Sequence, residues 1–472
     1  MYDPHSPNAE AFICHDEAMD TLAYADANRN NAALVDQIIQ KAGERKGLTH
    51  REASVLLACD MPDRLEAVYG LARQIKKDFY GNRIVIFAPL YLSNYCVNGC
   101  AYCPYHLGNR HIARKKLSQE DIVREVTALQ DMGHKRLAIE AGEDPVNNPL
   151  DYILESIQTI YSIRHRNGAI RRANVNIAAT TEENYRKLKN AGIGTYILFQ
   201  ETYHRQSYGI LHTSGPKRDY AYHTEAMDRA MRGGIDDVGL GVLFGLERYR
   251  YELAALLMHA EHLEAAFGVG PHTISLPRVK RADGVDPDSF DNGIDDDAFA
   301  KLCAVIRVAV PYTGMIISTR EGRAVRERLL SLGVSQISGA SRTSVGGYYA
   351  PGPEDKNTEQ FDVSDNRTLD EVVGWLMELG YIPSFCTACY REGRTGDRFM
   401  KLVKDGKIQN RCHANALLTL EEYLLDYASE GTRQAGDALI KREVENIPGD
   451  AARDICRKHL AAMDEGQRDF RF

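Results

Sequence analysis

Arg83-Ile84-Val85-Ile86-Phe87-Ala88-Pro89-Leu90, then Tyr91-Leu92-Ser93-Asn94-Tyr95, then Cys96-Val97-Asn98-Gly99-Cys100-Ala101-Tyr102-Cys103, is the stretch on which the reading of this chain turns. The first run is almost continuously apolar and β-branched, the pattern of a parallel strand covered on both faces. Three cysteines follow just past its end. In a parallel α/β barrel that loop lies at the catalytic face. Three thiolates hold three irons of a cubane and leave the fourth open, and soft thiolates select iron–sulfur or zinc over hard cations. Gly99 relieves backbone crowding as the loop wraps around the metal. The alternative is a structural zinc site, which wants four closed ligands; the nearest extra candidate is His106.

Moving outward, short β-rich runs alternate with longer amphipathic segments eight times. The runs are 83–90, 136–141, 174–178, 195–199, 238–243, 272–276, 315–318 and 336–338. Helices are predicted over 118–132, 150–163, 182–190, 221–232, 251–267, 297–308 and 322–332, and Ser118-Gln119-Glu120-Asp121 is a capping signature at the first. Such alternation implies parallel strands joined by right-handed crossovers. Eight units over 81–345 match the ~250 residues typical of a closed (β/α)8 barrel, with a doubly wound open sheet as the rival. Residues 1–80 read as a helical N-terminal extension, with a capping box at Thr49-His50-Arg51-Glu52. Residues 346–472 read as a helical C-terminal domain: an exit loop over 346–363, then helices over 368–379, 398–404 and 414–427.

The net charge of −8 over 472 residues gives no basic field for nucleic acid. Arg164-His165-Arg166 and Lys280-Arg281 read as solvated loop charges. The acidic start Met1-Tyr2-Asp3-Pro4-His5 is neither a secretory signal nor a transit peptide. No apolar run approaches the ~18 residues of a membrane span. A cytoplasmic monomer is expected, with its ten cysteines reduced. Six fall in two groups; Cys14, Cys59, Cys303 and Cys456 stand alone as packing or surface residues.

The second group is Cys386-Thr387-Ala388-Cys389, completed 22 residues later by Cys412. Its spacing fits a zinc knot with His413, a redox dithiol or three-point cluster ligation. His272 precedes the sixth strand, so it belongs at the bottom of the barrel, and an appendage capping the bottom brings the second group near it. Imidazole suits iron; His262 is the fallback. Arg320, Ser338 and Ser341 follow the last two strands and face the top of the lumen, where Arg320 can clamp a carboxylate and the hydroxyls can orient it. Tyr91 adjoins the same space.

Cys-x3-Cys-x2-Cys after the first strand of such a barrel resembles the radical S-adenosylmethionine superfamily. Tyr102 matches the aromatic position near the adenine. Ala141-Gly142-Glu143 matches the Gly-Gly-Glu-like motif that binds the methionyl amine, with Ala in place of the first Gly. Glu201 and Arg205 are expected at the cofactor's ribose or carboxylate. The full pattern resembles the tyrosine-lyase maturases of FeFe-hydrogenase. That resemblance rests on both cysteine groups, on Leu198-Phe199-Gln200-Glu201-Thr202-Tyr203, and on Pro271-His272-Thr273-Ile274-Ser275. It extends to Ser318-Thr319-Arg320 and Ser338-Gly339-Ala340-Ser341-Arg342.

This likeness implies two 4Fe–4S clusters, one binding S-adenosylmethionine and one auxiliary. The auxiliary cluster bears an extra iron held by His272, with a free cysteine as a further ligand. It implies cleavage of L-tyrosine to p-cresol and dehydroglycine, then carbon monoxide and cyanide on iron. Ferredoxin or flavodoxin would supply electrons, and other hydrogenase maturation proteins would take the product. The sister lyase of thiamine synthesis, 2-iminoacetate synthase, shares the barrel and first triplet but lacks the full second group. A non-catalytic iron–sulfur scaffold is the reading from another class.

Overall fold

Strand β1 (Arg83–Ser93) is the seam on which the molecule closes. Its upper half pairs with β2 (Arg136–Ala141) and its lower half with β8 (Gln336–Ser338), both parallel. Between them run β3 (Arg172–Asn176), β4 (Tyr196–Ile197), β5 (Val238–Gly241), β6 (Thr273–Ser275) and β7 (Gly314–Ile317), each parallel to its neighbours. The result, in this computed structural model, is a closed eight-stranded parallel barrel, and the open-sheet rival falls. The structure describes residues 1–350, 352, 355–405 and 408–472; Pro351, Pro353 and Glu354 of the exit loop lie outside the described residues.

Two expectations need correction. The C-terminal domain is not purely helical: β9 (Ile382–Ser384) pairs in parallel with Arg83–Val85 at the foot of β1. It occupies the edge of β1 that β2 occupies higher up. Pro383 hid it, since proline is tolerated only in edge strands and so argues against a strand on sequence grounds. The single helix expected over 221–232 is two, Tyr220–Thr224 and Ala226–Arg232, broken at Glu225 (φ −82, ψ 9).

The capping boxes at Thr49/Glu52 and Ser118/Asp121 are formed, and a third at Thr368/Glu371 starts the helix Leu369–Glu378. The N-terminal helices are not a separate body. His50–Ala58 packs on Tyr249–Phe267 and on Asp296–Ala309, and one apolar core runs from Phe12 through the barrel wall to Met463. Among the described residues no helix is long and apolar enough to cross a membrane.

Candidate active site

Cys96, Cys100 and Cys103 line a cavity of about 160 Å³ at the top of the barrel, with Tyr102, Gly142, Glu143, Glu201, Lys217 and Arg320. The loop is shaped by its neighbours. Val97 N donates to Glu143 O (2.8 Å), Gly99 N to Ser214 O (3.0 Å) and Ala101 N to Leu211 O (2.9 Å). Gly99 is needed for this approach: a Cβ there would fall 2.3 Å from Thr213 Oγ1. A Cβ on Gly142 would fall 2.3 Å from Tyr95 O, so the strand end seats against the cysteine loop only with glycine.

Asn98 Nδ2 donates to Glu143 Oε2 (2.7 Å), and burial raises the Glu143 carboxyl. Tyr102 OH donates to His212 Nε2 (2.7 Å), while His212 Nδ1 donates to Tyr208 O (2.8 Å). Burial holds His212 down to about 3, so it is neutral, and the two bonds fix its tautomer. Glu201 sits in the left-handed region (φ 69), a conformation costly for a non-glycine, and accepts from Lys217 Nζ (2.9 Å). Arg205 is corrected. Exposed on the helix Arg205–Leu211 and paired with Glu10 (2.6 Å), it does not reach the cavity; Lys217 does, and it is the cation that pairs with Glu201. His106 does not line the cavity either.

The donor set fits a cluster-bound cofactor. Burial pushes the Cys100 thiol up to about 11 and Cys103 further still, and a metal cation would favour their thiolate forms.

Below this cavity lies another of about 90 Å³, continuous with it through Tyr91, Glu140, Asn176, Phe199, Arg320 and Gln360. Tyr91 OH donates to Gln360 Oε1 (2.8 Å). Arg320 stacks over Phe361 (3.6 Å) and makes no ion pair among the described residues. Ser341 Oγ is buried without a partner among the described residues, whereas Ser338 Oγ accepts from Thr319 N (3.1 Å) and so shapes the turn before Arg320. Sequence reasoning missed Glu140. Burial raises it to about 8 despite a hydrogen bond from Asn176. Its signal was an acidic residue at an inward register position of a buried strand.

At the opposite end of the barrel a third cavity, about 70 Å³, is lined by Cys386, Cys389, Cys412 and His272 together with Tyr390, Arg83, Arg136 and Arg394. Val85 of β1 lines this cavity and Tyr91 the upper one; six residues of strand rise about 20 Å. β9 delivers Cys386, the helix Ala388–Arg391 carries Cys389, and the first turn of Gln409–Asp426 carries Cys412. A hydrogen bond from Cys389, with Arg83, Arg394 and Arg411 nearby, holds the Cys412 thiol below its ordinary value. Burial pushes Cys386 up to about 11.

His272 is lowered by burial and so is neutral. Its Nε2 accepts from Tyr390 OH (2.9 Å), and Nδ1 lies 3.3 Å from Asp237 Oδ1 but outside hydrogen-bonding geometry. The fallback is excluded. Both nitrogens of His262 are engaged, Nδ1 with Pro4 O (2.7 Å) and Nε2 with Asp228 Oδ1 (3.0 Å), in the outer wall. His413 bonds Glu443 O (3.0 Å) and does not line the thiol cavity. Cys14, Cys59, Cys303 and Cys456 are buried and line none of the three cavities.

A thiol triplet at the top of a closed (β/α)8 barrel, with a Gly-Glu cradle beside it, defines a radical S-adenosylmethionine enzyme. The pattern of the Radical SAM superfamily matches residues 90–257, and that of the Biotin and Thiamin Synthesis associated domain matches 275–382. A crystal structure of HydG, a maturase of the FeFe-hydrogenase, is 53% identical with a TM-score of 0.94, covering 98% of this chain and 100% of that one. HydG from Carboxydothermus hydrogenoformans is 38% identical with a TM-score of 0.83, covering 96% of this chain and 99% of that one. The 2-iminoacetate synthase of Salmonella typhimurium is 31% identical over 358 residues, 75% of this chain and 90% of its own. The chain belongs to the HydG family of radical SAM lyases.

Proposed function

We propose that this enzyme cleaves L-tyrosine between Cα and Cβ to p-cresol and dehydroglycine, and converts the small fragment to carbon monoxide and cyanide on iron for FeFe-hydrogenase. Cys96, Cys100 and Cys103 would hold a 4Fe–4S cluster; with S-adenosylmethionine bound and one electron from ferredoxin or flavodoxin, it supplies a deoxyadenosyl radical that takes hydrogen from the tyrosine amino group. Glu143 accepts from the methionyl ammonium beside Ala141 and Gly142. Tyr102, hydrogen-bonded to His212, backs the adenine. Glu201, neutralised by Lys217, faces the ribose. Arg320 pairs with the substrate carboxylate, Ser341 offers its free hydroxyl, and Ser338 and Tyr91 hold the surrounding turn and wall. Closure of the lumen keeps water from the radical.

Cys386, Cys389 and Cys412 would hold the auxiliary 4Fe–4S cluster, with His272 Nε2 and a free cysteine as ligands of an extra iron. The observation that carries this reading is the meeting of these four side chains in one cavity at the foot of the barrel. The enzyme works as a cytoplasmic monomer and passes its product to other hydrogenase maturation proteins. Turnover of Cys386→Ser tests it: p-cresol persists and carbon monoxide vanishes. Loss of p-cresol, carbon monoxide and cyanide together would merge the roles of the two sites.

The similarity to 2-iminoacetate synthase supports a second reading, free dehydroglycine as the product with zinc at the lower thiols. Iron for one cluster plus zinc, with no carbon monoxide, selects it. Absence of both deoxyadenosine and p-cresol would leave only an iron–sulfur scaffold.

A further inference from the structure

The floor of the barrel carries two guanidinium groups that the chemistry above leaves unused. Arg136 and Arg172 open β2 and β3 and stand side by side in strand register. Side chains alternate across a strand. Arg136 therefore lies below Ala138 and Glu140, and Arg172 below Asn176, on the face that lines the lumen. Both are buried, 5% and 6% exposed. Among the described residues neither makes an ion pair. Arg136 donates to Cys386 O (3.3 Å), Arg172 to Ile193 O (3.0 Å), and the Nε of each has no acceptor.

Arg172 lies 3.0 Å over the ring of Tyr390, whose hydroxyl joins Thr195 Oγ1 (3.1 Å) on the lumen side to His272 Nε2 (2.9 Å) on the cavity side. Tyr390 and the two arginines thus stand between the chambers. A buried charge without an ion-pair partner is costly: Arg83, Arg136 and Arg394 line the lower cavity with the thiols and no Asp or Glu among the described residues does, the buried Asp237 lying behind His272. A 4Fe–4S core in its dicationic state with three thiolates carries a single negative charge. With Asp237 counted as well, the three guanidiniums of the wall still leave positive charge to be met by something else.

We propose that Arg136 and Arg172 form a carboxylate-binding throat between the lumen and the lower cavity. Its ligand is a two-carbon α-imino or α-oxo acid, the kind of fragment left when the Cα–Cβ bond of an amino acid is cut. Guanidinium forks match carboxylates bidentately. A neutral phenol offers no charge to pair with them, and the face of Arg172 is already taken by the Tyr390 ring. The throat therefore sorts the two products, holding the anionic fragment at the floor and leaving p-cresol above. This inference rests on the lyase reading of the upper site.

Protein reconstituted with iron and sulfide under anaerobic conditions is titrated calorimetrically with glyoxylate, a stable α-oxo acid, and with the uncharged glycolaldehyde. The parent is expected to bind glyoxylate and not glycolaldehyde, and R136M and R172M to bind glyoxylate at least tenfold more weakly. Cluster absorbance checks that the variants fold. During turnover, free glyoxylate released per p-cresol should rise at least threefold in R172M. No glyoxylate binding by the parent overturns the proposal, as does equal binding of glycolaldehyde or unchanged affinity in both folded variants. A parent that binds glyoxylate but makes no p-cresol refutes the lyase reading and leaves the throat standing.

Discussion

The two thiol triplets have the same ligand count and different electrostatic settings. The upper cavity carries Glu140, Glu143 and Glu201 against Lys217, Lys280 and Arg320. The lower is lined by Arg83, Arg136 and Arg394 with no carboxylate. A mixed wall that sets carboxylates beside the thiols suits a sulfonium and an ammonium, the cationic parts of the cofactor. A wall of guanidiniums suits anions arriving at the proposed auxiliary cluster. The thiols say that metal binds; the residues between them say which charge is welcome.

The largest effect that sharpens this contrast is Cys100→Ala. It removes one of the three ligands of the radical-generating cluster, and deoxyadenosine, p-cresol and every later product should fall below detection in a turnover assay. Retention of p-cresol would break the assignment of the upper triplet as the radical source. Next comes Arg320→Met. Hydrogen bonds to charged groups contribute about 1.5–3 kcal/mol, so the KM for tyrosine should rise about 10- to 100-fold with a smaller change in kcat. An unchanged KM would leave the unpaired Arg320 as a structural cation.

The two sites were not equally legible. Cys96, Cys100, Cys103 and Glu143 were readable because their spacing and their place after strands carry the geometry, and the barrel followed from counting alternations. The place of His272 at the foot of the barrel was readable from strand polarity, while its proposed ligand role came from the resemblance. Lys217 and Asn98 were not, since they act through long-range contacts, to Glu201, to Glu143 and to each other, that no local pattern encodes. Arg205 misled for the same reason: proximity in sequence to Glu201 does not survive the turn into a surface helix. β9 escaped because three residues containing a proline carry no strand signal, though it is what brings Cys386 under the barrel.

A smaller effect tests the lower wall. Carboxylates behind a ligating histidine set its tautomer and orientation, and their loss typically costs 10- to 100-fold in metal affinity. Asp237→Asn, facing His272 Nδ1 at 3.3 Å, should lower occupancy of the extra iron about tenfold by metal analysis and Mössbauer spectroscopy, with the p-cresol rate as internal control. Full iron with Asp237→Asn would move the ligand role away from His272.

The smallest effect concerns Glu140, the acid shared by the two upper cavities. Its carboxyl is raised to about 8 in the folded chain from an ordinary value near 4.5. Between those values the folded state keeps a proton that the unfolded state has lost, so stability declines as pH rises from about 4.5 through about 8. Gln cannot ionise. Glu140→Gln should therefore match the parent near pH 4.5, gain on it steadily above that, and level off past pH 8, with a melting temperature higher by about 2–3 °C. Tyrosine sharpens the test. If Arg320 takes the substrate carboxylate, the ammonium lies toward Glu140, favours the carboxylate form and lowers its pKa. The gap between variant and parent at pH 8 should then shrink when tyrosine is present. A gap that tyrosine leaves unchanged would place the ammonium elsewhere, and the carboxylates of the upper wall would then serve the cofactor alone.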